Sequence, residues 1–123
     1  MSWLKRLLGR RNRRPFNLIH VVVRSNGFDA VVQAELPVAN KVDWSDIRRI
    51  EAYRTDEDGV PAVALRISLF WGRRRLIIDN DVAGFNDLVN ALPEAFPEIS
   101  TDWRARIEAP FGFEPHEVLY EAS

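Results

Sequence analysis

Two stretches of this chain place an apolar residue at every second position, and that period limits the fold more than any other feature. Phe28, Ala30, Val32, Ala34 and Leu36 alternate with Asp29, Gln33 and Glu35. Val63, Leu65, Ile67, Leu69 and Trp71 alternate with Arg66 and Ser68. Successive side chains of a strand point to opposite faces, so each stretch predicts a strand with one buried and one solvated face.

The flanking segments add strands and turns. Phe16 to Arg24 is rich in β-branched residues and predicts a strand, with Ser25-Asn26-Gly27 as its turn because Asn-Gly favours tight hairpins. Pro37 to Lys41 reads as a loop, Ser45-Asp46 as a tight turn and Ile50 to Arg54 as a strand. Asp56-Glu57-Asp58-Gly59 marks a second hairpin, and Gly72-Arg73 turns the chain into a last strand, Arg75 to Asp79. Strands at such short spacing, joined by hairpins, imply an antiparallel meander.

After Asp79 the period becomes helical. Val82, Phe85, Leu88, Val89 and Leu92 fall on one helix face, with Asn80 or Asp81 as the cap and Pro93 as the stop. A shorter helix is expected after Ser100 or Thr101, with Trp103 and Ile107 on one side. Val118 to Tyr120 reads as a small edge strand. Every strand has one apolar face, so the sheet must curl and be plugged, and the first helix has the apolar stripe to do it.

The segment Val42-Asp43-Trp44-Ser45-Asp46-Ile47-Arg48-Arg49-Ile50 resembles the W-x-D-I-x-x-I signature of bacterial PH-like domains. The Ala83-Gly84-Phe85 to Leu92 stretch is similar to their GF-x-x-L helix. The resemblance covers residues 16–96. It implies an α+β fold, a strongly bent antiparallel sheet or partial barrel of PH-like type capped by one amphipathic helix. Lipid-binding PH domains cluster Lys and Arg at the first hairpin loop. Here that loop offers only Arg24 beside Ser25, Asn26 and Gly27.

At 123 residues the chain predicts one domain, residues 16–123, behind an arm, residues 1–15. It has no cysteine, which excludes disulfides and thiolate metal sites. Its two histidines, His20 and His116, stand far apart in sequence, so no metal site and no cofactor is expected. Asp56, Glu57 and Asp58 lack calcium-loop spacing and read as turn residues. Asp79 and Asp81 read as cap residues rather than an acid/base pair. No phosphate-binding glycine loop or nucleophile elbow occurs. The chain is therefore expected not to be an enzyme. Trp44 is expected to anchor the core beneath its turn.

Charge is segregated. The first fourteen residues hold six basic residues and no acid, a formal +6. The remaining residues hold eleven basic and eighteen acidic residues, a formal −7. On a helix, Trp3, Leu4, Leu7 and Leu8 share one face, and Lys5, Arg6, Arg10 and Arg11 lie largely off it, with Arg13 and Arg14 following. No apolar run approaches the roughly 18 to 20 residues of a spanning helix. The arm lacks the apolar core of a secretory signal and is expected to be retained. The basic run Arg73, Arg74 and Arg75 is a candidate second patch, with a merely solvated hairpin tip as the simpler alternative.

An anionic membrane surface is the arm's first expected partner. A protein, or the arm's own domain, is the second, and nucleic acid is the least favoured. The expected function is that of an interaction or adaptor module, held reversibly at the inner face of the cytoplasmic membrane and carrying a protein partner. The alternative is a soluble acidic inhibitor, of immunity type, for a basic protein.

Overall fold

A computed structural model of the chain describes residues 18–32, 38–57, 60–70, 75–108 and 116–122. They form seven strands in two antiparallel sheets, with two short helices. Strands β1 (Leu18–Arg24), β2 (Gly27–Val32) and β3 (Val38–Asp43) make a three-stranded sheet in chain order. Strands β4 (Ile47–Glu57), β5 (Val60–Leu69), β6 (Arg75–Asp79) and β7 (His116–Glu121) make a four-stranded sheet in the order β6-β5-β4-β7. Helices α1 (Phe85–Ala95) and α2 (Trp103–Glu108) fall between β6 and β7 in sequence. The meander is as the alternation predicts, and neither sheet closes on itself.

The first hairpin differs from expectation by one residue. Its turn is Ser25 and Asn26, and Arg24 pairs with Gly27 as the first residue of β2. Crowding from β3 fixes the glycine, because a Cβ there would stand 2.0 Å from the Val42 carbonyl oxygen. The segment Pro37 to Lys41, expected as a loop, is largely strand. From Val38 to Asp43 the chain pairs with β2 along its whole length, Val32 with Val38 and Gly27 with Asp43. Long-range pairing of the β2 edge overrides the weak local pattern of Ala39-Asn40-Lys41.

A 3-10 turn, Trp44–Asp46, carries the chain from one sheet to the other. It is bonded to both. The Trp44 amide donates to Asn26 O at 2.8 Å, and the Phe70 amide donates to Asp46 O at 2.9 Å. The Asp46 carboxylate accepts from the Asp43 amide at 2.9 Å. Half-buried Trp44 packs on the core, its ring 6.0 Å from that of Phe28 and 6.0 Å from that of Phe96.

One apolar core joins both sheets and both helices. Phe28 from the first sheet and Ile50, Leu65, Ile67 and Ile78 from the second belong to it. Phe85, Leu88 and Leu92 of α1 and Trp103 and Ile107 of α2 complete it. The helix faces are those read from the sequence, but the boundaries of α1 move. Gly84, not Asn80 or Asp81, is the N-cap, with φ 88°. The Asn80 side chain instead accepts from the Val63 amide at 2.9 Å, extending the β5–β6 ladder. Asp79 accepts from the Asp81 amide at 3.0 Å. Val82 is buried but precedes the helix. Pro93 lies inside the helix rather than ending it. Near a C-terminus a proline removes only one ladder donor, and the Phe96 amide still reaches Leu92 O at 2.7 Å.

Candidate functional site

The 3-10 turn delivers Arg48 and Arg49 to the start of β4. The β4–β5 register jumps there: Ile47 pairs with Leu69, then Arg49 with Ser68, leaving Arg48 as the extra residue of a bulge. Bulges re-aim side chains at sheet margins. On the other side of β5, Ser68 pairs with Arg75 at the start of β6. Three neighbouring strands thus set Arg49, Ser68 and Arg75 in one row across the sheet. Strand alternation puts that row on the face opposite the core residues Ile50 and Ile67.

These residues line an open cleft of about 480 Å³ with Arg48, Glu51, Leu69 and Phe70. Its chemistry is cationic with one apolar wall. Arg48 and Arg75 are exposed and make no ion pair among the described residues. Phe70 is 60% exposed although its neighbour Leu69 is buried. Ser68 is only 4% exposed, and its hydroxyl makes no hydrogen bond among the described residues.

Beneath the cleft lies a buried carboxylate. Glu51 is 7% exposed. Arg49 Nε stands 3.1 Å from its Oε1, Arg66 Nη1 donates to its Oε2 at 3.3 Å, and His116 Nε2 donates to the same oxygen at 2.8 Å. Burial pushes the Glu51 carboxyl up, but the His116 hydrogen bond and the Arg49 and Arg66 charges outweigh it and hold it below its ordinary value. Arg49 is also 3.4 Å from Glu121. Its buried Nε–H has no aligned acceptor, so charge rather than a well-directed hydrogen bond holds the Arg49–Glu51 pair. Arg66 lies 5.3 Å from the centre of the Tyr53 ring, where burial raises the phenol against the lowering effect of that guanidinium.

Elsewhere among the described residues, Arg24 and Arg106 are occupied. Arg24 reaches Asp29 at 3.0 Å and Asp43 at 3.4 Å, and its Nη2 donates to the Val42 carbonyl at 3.2 Å. The one cation of the first hairpin is therefore spent on holding that sheet together. Arg106 donates to both carboxylate oxygens of Glu117, at 2.9 and 2.6 Å, tying α2 to β7.

Of the residues singled out in the sequence, Trp3, Leu4, Lys5, Arg6, Leu7, Leu8, Arg10, Arg11, Arg13 and Arg14 lie outside the described residues, as do Arg73 and Arg74. Arg75 is described and lies in the cleft. Sequence reasoning overlooked its companions Arg48, Arg49, Ser68 and Phe70. One signal was present: Phe70 is apolar but out of phase with Val63, Leu65, Ile67 and Leu69, which points it away from the core. The cross-strand row has no counterpart in local sequence.

No family model, curated protein or solved structure matches the chain. Among the described residues no three His, Asp or Glu side chains gather as metal ligands would. No helix among them is long and apolar enough to cross a membrane.

Proposed function

We propose that this chain is a non-enzymatic interaction module with a PH-like core, held reversibly at the inner, anionic face of a membrane by its basic amphipathic arm. The order of two antiparallel sheets and a following amphipathic helix supports the PH-like assignment. One observation carries the membrane assignment. Six cations and the apolar residues Trp3, Leu4, Leu7 and Leu8 are concentrated in fourteen residues that contain no acid.

Each cation near an anionic leaflet contributes on the order of 1 kcal/mol. The apolar residues add insertion into the headgroup boundary. The sum is enough for reversible attachment and far below that of a spanning helix. A protein partner would then pair with an exposed sheet edge, β6 or β7, by strand addition.

The acidic excess of the body gives less support to an inhibitor of a basic protein. Asp29 and Asp43 are engaged by Arg24, Glu51 by Arg66, and Glu117 by Arg106. These four of the body's eighteen acids serve the fold's own arginines and are not available to a docking partner.

Deletion of residues 2–14 tests the proposal. The full chain should sediment with vesicles containing phosphatidylserine, and the truncated chain should stay in the supernatant. Equal sedimentation of the two refutes attachment through the arm.

A further inference from the structure

We propose that the cleft across β4, β5 and β6 binds a phosphate monoester, gripped by Arg48, Arg49 and Arg75 above the Ser68 hydroxyl. This goes beyond attachment through the arm, since it concerns the folded body and stands even if the arm binds no lipid.

Charge comes first. Arg48 and Arg75 are exposed and carry no ion pair among the described residues, so within that set the cleft offers two cations that its carboxylate, Glu51, does not engage. A phosphate monoester carries roughly −1.5 to −2 near neutral pH and matches them. Guanidinium forks bind phosphate and carboxylate oxygens alike in pairs, but a singly charged, two-oxygen carboxylate would leave one of the two arginines unmet.

Geometry adds the rest. Ser68 pairs with Arg49 on one side and Arg75 on the other, so the three residues stand in one row with the serine in the middle. The Ser68 hydroxyl belongs to a residue only 4% exposed, has no hydrogen bond among the described residues, and lines the cleft. Arg49, held by Glu51 and Glu121, keeps its place in the row beside that hydroxyl. The cleft, at about 480 Å³, also exceeds what a bare phosphate would fill and falls within the range of about 300–1,000 Å³ usual for small ligands. Exposed Phe70 walls one side and fits the organic part of an ester.

The ester could be a lipid headgroup or a soluble metabolite, and both present the same phosphate. The test therefore has two arms, both on the full chain. In the first, phenyl phosphate is titrated calorimetrically into the parent, into R48Q/R75Q, into S68A, and into a tail variant with K5Q, R6Q, R10Q, R11Q, R13Q and R14Q. Binding should saturate, weaken at least about tenfold in R48Q/R75Q, weaken in S68A, and persist in the tail variant. In the second, the same proteins are sedimented with vesicles carrying phosphatidic acid or, at matched surface charge, phosphatidylserine. A preference for phosphatidic acid that R48Q/R75Q loses assigns the ester to a lipid. Phenyl phosphate binding without that preference assigns it to a soluble molecule. If neither phenyl phosphate nor phosphatidic acid is selected, or if R48Q/R75Q binds like the parent, the site does not exist. Circular dichroism of both cleft variants guards against loss of fold. Loss of vesicle binding in the tail variant alone would bear on the arm and not on the cleft.

Discussion

His116 Nε2 on β7 lies 2.8 Å from Glu51 Oε2 on β4, joining residues 65 positions apart at the edge of the second sheet. Arg49 and Arg66 flank the same carboxylate at 3.1 and 3.3 Å. A nearly buried acid is thus compensated by three basic groups from three strands, which fixes the position of β7 against β4.

The compensation makes stability depend on pH. Glu51 is held below its ordinary value near 4.5. A carboxyl whose folded value is depressed contributes stability that is complete above its unfolded value and is lost as pH falls through the folded one. Denaturant unfolding should therefore show a loss of stability starting near about pH 5 and deepening below about pH 4. Glu51→Gln should flatten that acid slope. Glu51→Ala should cost about 1–3 kcal/mol at neutral pH, discounted for the partial exposure of its partners. An acid slope unchanged in Glu51→Gln contradicts the assignment.

Trp103 is the bulkiest fully buried side chain among the described residues, 2% exposed, and pins α2 onto the shared core. Trp103→Ala should cost about 3–5 kcal/mol in chemical unfolding. Phe70→Ala, at a residue 60% exposed, should stay within about 0.5 kcal/mol of the parent. Comparable losses at the two positions would mean that Phe70 is not the free wall of the cleft.

Gly84 holds φ 88°, and a Cβ there would meet the Val21 carbonyl oxygen at 2.0 Å. The close approach lets the Val21 amide bond to Ala83 O at 2.9 Å, stitching β1 to the entry of α1. Gly84→Ala combines left-handed strain with a backbone clash and should lower stability by about 2 kcal/mol or more. A thermal midpoint equal to the parent's would show that α1 does not depend on this contact.

Much of the fold was legible because it rests on period. The alternation of Val63, Leu65, Ile67 and Leu69 marks β5 without ambiguity, and Trp103 with Ile107 marks the buried side of α2. What escaped detection depends on partners distant in sequence. Val38 to Asp43 has no marked alternation and is a strand because β2 offers it an edge. Asn80 has the side chain of a helix cap, but Val63 competes for its oxygen and wins. Trp44 and Trp103 look equally suited to anchor a core, yet only Trp103 is fully buried, since Trp44 sits on the corner between the sheets. The cleft was the least legible part. Of its arginines only Arg75 stood in a run that drew notice. Arg49 joins it through strand pairing and Arg48 through the bulge beside that pair, and local sequence encodes neither.

The account turns on whether charge and apolar surface in the first fourteen residues act together on a membrane. Sedimentation with phosphatidylserine vesicles, at low and high salt, should compare the full chain with two variants. One carries W3S, L4S, L7S and L8S, and the other carries K5Q, R6Q, R10Q, R11Q, R13Q and R14Q. Each variant should bind less than the parent, and added salt should weaken the parent while leaving little further loss in the neutralised variant. Sedimentation of both variants at the parent's level, insensitive to salt, would contradict the account outright.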